Sequence, residues 1–182
     1  SQGTFSCRVG ENRFLITPYA KDRDYLEPED LVLIENGKRE AGKVPSRSVK
    51  LHSEIYRQHP DIKTVIVAHP PHIMAFAVTD QEFDARLIPE SYLQLRTVQK
   101  YPFGSTFMEA EELAAKLSMD NPVAIIENDC VITTGTSLIN AFDKLEVMEY
   151  SAKSVIMTHN VGQIVRITDE EVDEIEVAFG LK

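Results

Sequence analysis

The stretch from Thr64 to Met74, TVIVAHPPHIM, decides how this chain is read. Its β-branched run from Thr64 to Ala68, closed by prolines, predicts a buried strand that delivers His69 at its carboxyl end. Pro70 and Pro71 then turn the chain into a helix near His72, because proline is tolerated in a first helical turn. Ligands collect beyond the carboxyl ends of strands in α/β sheets, so a site is expected here. His69 and His72 admit two readings. Either they face one way on a helical turn and share a metal, or His69 is a hydrogen-bonded imidazole in a packed turn and His72 is solvated.

Upstream of that strand, Phe5 to Val9 and Arg13 to Thr17 read as a hairpin joined by Gly10-Glu11-Asn12. The polar segment Tyr19 to Tyr25 reads as a loop. Leu31 to Ile34 and Arg39 to Ala41 read as a second hairpin, turned by Asn36-Gly37. Ser46 or Ser48 is the expected cap of a helix ending at Gln58, with Val49, His52, Ile55 and Tyr56 on its buried face. Downstream, a helix is expected from about Pro71 to Val78. The stretches Leu87 to Pro89 and Tyr92 to Val98 read as short strands or a turn of helix, and Tyr101 to Gly104 as a turn. Glu109 to Leu117 predicts an amphipathic helix, and Val123 to Ile126 and Val131 to Thr134 predict strands around the corner Glu127 to Cys130.

The longest helix is expected from Ser137 to about His159, its stripe of Leu138, Ala141, Leu145, Met148, Ala152 and Val155 facing the sheet. Thr168 and the acidic residues after it predict a last helix, Glu170 to Phe179, closed by Gly180. No repeat or linker interrupts the pattern. One mixed α/β domain over residues 1–182 is the expectation.

A chain of 182 residues with 43% hydrophobic and 26% charged side chains has the composition of an ordinary globular domain. Its formal net charge of −10 disfavours nucleic acid or an anionic membrane as a partner. An anionic ligand therefore needs a local basic pocket. Cys7 and Cys130 form neither a disulfide framework nor a CxxC pattern, which points to a reducing compartment such as the cytoplasm. No run is long enough to cross a bilayer, and no basic-then-apolar leader opens the sequence. The absent Met and the near-immediate first strand lead us to expect a fragment without its preceding segment.

Five stretches in this order resemble the class II aldolase and adducin family of fuculose-phosphate and rhamnulose-phosphate aldolases and ribulose-phosphate 4-epimerases. They are Gly3 to Arg8 (GTFSCR, against the family's Gly-Asn-x-Ser-x-Arg), Phe14 to Pro18, Leu26 to Val32, Pro45 to His52 with Ile55-Tyr56, and the Thr64 strand. Ala141 to Ala152 is similar to the family's long helix. The resemblance implies a three-layer α/β fold, a central mixed, mostly antiparallel sheet flanked by helices, with a helical segment before Gly3. It also implies a homo-oligomer, commonly a fourfold ring, and metal-assisted cleavage or epimerisation of a sugar phosphate. In that chemistry zinc on three histidines acts as a Lewis acid.

Carried over residue by residue, most of that site is absent. The family's glutamate falls at Ser48, which without an activating partner is no base of suitable pKa. In the family's His-x-His, the first histidine falls at Val67 and the second is kept as His69. The third falls at Asp129. His69 and Asp129 are a poor zinc site beside the three protein ligands catalytic zinc takes. No cofactor is expected, and zinc or another divalent metal only if the enzyme is active. A rebuilt, active site would have to recruit His52 or His72. The phosphate pocket is altered too: Thr4 stands for the motif asparagine, Arg47 for a serine, Tyr19-Ala20 for Thr-Gly, and Ser46 alone is unchanged. Thr4, Ser46 and Arg47 are the candidate phosphate-binding residues, since a guanidinium at a helix N-terminus makes a strong anion site. Tyr92 lies where a catalytic tyrosine from a neighbouring subunit would fall, but its loop does not align and it receives no role. The chain is thus expected to be a structural or ligand-binding relative of these enzymes, or the degenerate half of a longer protein.

Overall fold

A computed structural model describes residues 2–181. Its centre is β5 (Thr64–Ala68), whose first four residues are all buried. A strand closed on both faces needs such a continuous apolar run. β1 (Thr4–Gly10) pairs antiparallel with β5 on one side and with β2 (Arg13–Ile16) on the other. β3 (Val32–Glu35) and β4 (Lys38–Arg39) continue outward. On the far side of β5 come β8 (Val131–Gly135), β7 (Val123–Ile126) and β6 (Gln99–Tyr101). The order is β4-β3-β2-β1-β5-β8-β7-β6, antiparallel throughout except for the parallel β6–β7 pair. The expected three-layer, mostly antiparallel fold is present.

Alternation along the strands sends side chains to two separate helical layers. Val65 and Val67 face α1 (Val49–Gln58) and α5 (Ala110–Lys116), together with Phe14, Ile16, Ala124, Ile126 and Ile132. Ile66 faces the opposite layer, α2 (Pro71–Ala77), α3 (Pro89–Leu95) and α6 (Leu138–Met157), with Val123, Ile125 and Val131. Gly135 permits the close approach of α6 to β8, since a Cβ there would lie 2.6 Å from the Ala141 nitrogen. The tight turns carry positive φ at Asn12, Asn36, Gly37 and Asn128, as asparagine and glycine tolerate.

Several local expectations are corrected. Residues 99–101 form β6, of which the sequence pattern reads only Tyr101, as the start of a turn. Their pairing with β7 is a tertiary effect that no local alternation announces. The helix expected at Glu109 to Leu117 is α5, and a separate short helix that is not expected, α4 (Ser105–Met108), precedes it across the non-helical backbone of Glu109. The second hairpin ends at Arg39 rather than Ala41. Leu138 heads α6 but is 48% exposed, because it lies beyond the end of the sheet. Ser48 is the residue preceding α1, yet neither it nor Ser46 caps the helix with its side chain. The last helix, α7 (Asp169–Ala178), begins as expected with a Thr168–Glu171 capping box.

Candidate anion-binding cavity

The register brings the ends of four neighbouring strands to one end of the sheet. Ser6 pairs with Ile16, Thr4 with Val67, and Ala68 with Val131. The exit of β2, the start of β1, the exit of β5 and the β7–β8 turn therefore stand side by side. Across them lies a cavity of about 690 Å³, lined among others by Tyr19, Thr4, Val67, His69 and Asp129. That volume lies within the range of about 300–1,000 Å³ usual for small-molecule sites.

At one end is a hydroxyl cluster. The buried Thr4 Oγ1 and Ser46 Oγ are 2.6 Å apart, and Ser46 Oγ is 3.2 Å from Ser48 Oγ. The segment that carries Ser46 is fixed by backbone bonds to the exit of β2. The Ser46 N–H donates to the Thr17 carbonyl (3.0 Å) and the Tyr19 N–H to the Val44 carbonyl (2.9 Å). This clamp seats Arg47 on Tyr19, with the guanidinium carbon 5.6 Å from the ring centroid. Arg47 makes no hydrogen bond or ion pair among the described residues, so its donors remain open to a ligand. The sequence-predicted trio Thr4, Ser46 and Arg47 thus lines one cavity.

The segment after β2, expected as a polar loop, adds further residues to the cavity. Arg23 lines the cavity, with its Nε donating to the Gly3 carbonyl (2.9 Å), immediately before Thr4. Burial lowers the pKa of its guanidinium, but an arginine stays cationic near neutrality. Lys21 is also a lining residue and pairs with Asp30. The position of these charges just after the FLITP strand was the available signal. Phe107 of α4, which had no such signal, lines the cavity beside Asp129.

His69 and Asp129 both reach the cavity. Asp129 is half-buried, and its Oδ2 accepts from Thr106 Oγ1 at 2.8 Å. The His69 ring is exposed and makes no hydrogen bond among the described residues. Val67 occupies the wall between the hydroxyl cluster and His69. Among the described residues, no group of three or more His, Cys, Asp or Glu side chains is placed to hold a metal ion. One imidazole and one carboxylate, with an isopropyl group between the two candidate ends, do not fit a three-ligand metal centre. Burial raises the pKa of the neighbouring Cys130 thiol, helped by Asp129, so it offers no thiolate.

The two histidines considered for a rebuilt site are placed elsewhere. His52 is fully buried between α1 and β1, with Nδ1 2.6 Å from Ser6 Oγ, which in turn is 2.7 Å from the Tyr56 hydroxyl. Its Nε2 has no hydrogen-bond partner among the described residues, and burial lowers its pKa to about 3. It is a neutral core histidine, because the face of α1 that carries it packs on the sheet. His72 lines a different cavity, against α6, and its Nδ1 is 2.6 Å from Glu149 Oε1. The same carboxylate accepts the His72 and Ile73 backbone N–H groups, tying α2 to α6. A metal shared by His69 and His72 is therefore not supported, and the expected alternative is reversed: His72 is the hydrogen-bonded imidazole, held by Glu149, and His69 is the exposed one. Tyr92 points to α7, donating to Glu176 at 2.6 Å.

A three-layer α/β unit with a mixed sheet, whose strand ends present hydroxyls and guanidinium groups to a small-molecule cavity, defines the class of this protein. The model of the class II aldolase and adducin N-terminal domain matches residues 1–156, and the chain belongs to that family. It is 28% identical to the 3-oxo-tetronate 4-phosphate decarboxylase of Haemophilus influenzae, over 96% of this chain and 85% of that one. It is 32% identical to the L-fuculose phosphate aldolase of Methanocaldococcus jannaschii, over 86% and 85%. The crystal structure of YgbL from Klebsiella pneumoniae superposes with a TM-score of 0.84 at 22% identity, covering 95% of this chain and 86% of that one, a likeness of fold alone. No helix among the described residues is long and apolar enough to cross a membrane.

Proposed function

We propose that this chain binds a small phosphorylated ligand through Thr4, Ser46 and Arg47 without the zinc-dependent lyase chemistry of a three-histidine centre. The observation that carries this reading is the content of the cavity: the Arg47 guanidinium and a hydroxyl cluster line it together, with a donor set of one imidazole and one engaged carboxylate. Hydroxyls and guanidinium match the acceptor-only oxygens of a phosphate, and a charge-assisted bond is about twice as strong as a neutral one. Its family membership supports a sugar-phosphate-like ligand, since the relatives named above are a phosphate-sugar aldolase and a phospho-acid decarboxylase. Ser48, at the position of the family's glutamate, touches only another hydroxyl, so no side chain there abstracts a proton.

The test is calorimetric titration of inorganic phosphate into the wild-type protein and Arg47→Ala. Binding that weakens about tenfold in the variant, the equivalent of about 1.4 kcal/mol, is expected. Equal binding in both proteins would contradict the assignment of Arg47.

A further inference from the structure

We propose that Tyr19 is a positioning residue for Arg47, fixing the guanidinium at the cavity with its ring face so that the two side chains act on an anion as one unit; the inference rests on the anion site proposed above. Arg47 is exposed and makes no hydrogen bond or ion pair among the described residues. Left to itself, so long a side chain samples many rotamers, and an anion that binds it must first order it. The contact that limits this freedom is the Tyr19 ring, whose centroid lies 5.6 Å from the guanidinium carbon. The kind of contact matters. The N–H donors of a guanidinium lie in its plane, and a ring face attracts the charge without occupying them. A carboxylate would fix the side chain too, but it would occupy the donors and cancel the charge, as Asp84 does for Arg86. An aromatic face orders the arginine and leaves its hydrogen-bonding capacity to a ligand.

Tyr19 is in turn held by the backbone. Its N–H donates to the Val44 carbonyl (2.9 Å), the Ser46 N–H donates to the Thr17 carbonyl (3.0 Å), and Pro18 faces Pro45 in an isolated antiparallel bridge. The segment leaving β2 and the segment entering α1 are therefore paired, with Tyr19 on one and Arg47 on the other. Beyond Tyr19 the chain turns at Ala20, whose φ of +57° lies in the left-handed region that a residue with a side chain seldom adopts. Strained backbone of this kind persists where the surroundings fix it, and it gathers at ligand clamps. Ala20 lines the same cavity. Tyr19 is 50% exposed and its hydroxyl makes no hydrogen bond among the described residues, so the ring face is what it offers. Both residues also stand where the sequence departs from the family pattern, and each departure suits the other. A threonine in place of Tyr19 has no ring face for the guanidinium, and a serine in place of Arg47 has no charge to meet the ring.

The experiment is calorimetric titration of inorganic phosphate into the full chain as wild type, Tyr19→Phe, Tyr19→Leu, Tyr19→Thr, Arg47→Ala, and Tyr19→Leu combined with Arg47→Ala. Tyr19→Leu and Tyr19→Thr, unlike in size and polarity so that a folding defect in one is not mistaken for the effect, are expected to weaken binding about two- to fivefold, the span of an exposed cation–π contact. Tyr19→Phe keeps the ring face and should bind as the wild type does. In the Arg47→Ala background, Tyr19→Leu should change nothing further, because side chains that act as one unit are not additive. A merely structural role for Tyr19 would weaken binding in both backgrounds. Wild-type affinity in Tyr19→Leu and Tyr19→Thr, a loss in Tyr19→Phe as large as theirs, or an equal loss with and without Arg47 would overturn the inference and leave the anion site standing. Wild-type affinity in Arg47→Ala would overturn the assignment of Arg47 and this inference with it.

Discussion

Thr4 and Val67 are register partners on adjacent strands, and their side chains face the same layer as α1. The buried hydroxyl of one and the isopropyl group of the other therefore share one wall of the cavity. This pairing places the hydroxyl cluster beside a valine rather than beside a second imidazole.

Restoring imidazoles should restore metal. Val67→His together with Asp129→His would give the cavity three histidines with His69. The double variant is expected to retain about one zinc per chain, the stoichiometry of a three-ligand site, where either single variant retains less. Elemental analysis after removal of excess zinc checks it. No gain in the double variant would mean that the strand ends are not spaced for a shared ion.

Gly3 sets the approach of β1 to β5. Its φ of +105° suits glycine, and a Cβ there would stand 2.9 Å from the Val67 carbonyl oxygen. Gly3→Ala is expected to cost about 1–3 kcal/mol in urea unfolding and to weaken phosphate binding by displacing Thr4. An unchanged unfolding midpoint would refute the packing constraint.

His52 should make the protein acid-sensitive. Its pKa is about 3 in the folded state against an ordinary 6.5, so the unfolded chain binds the extra proton between those values. Stability is then full above pH 6.5 and falls as the pH is lowered through the window, by up to about 1.4 kcal/mol per unit. Urea unfolding at pH 7 and pH 5 should differ by about 2 kcal/mol more in the wild type than in His52→Leu, which lacks that buried imidazole. Identical pH dependence in the two proteins would show that His52 is not the responsible group.

The sequence carried the fold well because its signals are local and strong. The β-branched Thr64 run, the Asn36-Gly37 turn, the Thr168 cap and the 20-residue α6 each specify their own element. Residues 99–101 were not legible as a strand, because their only warrant is a parallel neighbour far along the chain. The motif residues also divide by role. Ser6, Arg8, His52 and Tyr56 keep their family-like pattern, and the structure shows them bonded to one another or to backbone carbonyls in the joint between α1 and β1. Positions Ser48, Val67 and Asp129, where the pattern departs, lie on the cavity. Arg23 and Phe107 carry no local structural signal, because a 3-10 turn and a four-residue helix place them by tertiary contacts alone.

The most direct test is the zinc content of the purified protein after incubation with zinc and removal of the excess, alongside His69→Ala. The account predicts well under one zinc per chain, unchanged by the substitution, as a donor set of one imidazole and one engaged carboxylate requires. About one zinc per chain, lost in His69→Ala, would contradict it and return the chain to metal-dependent chemistry.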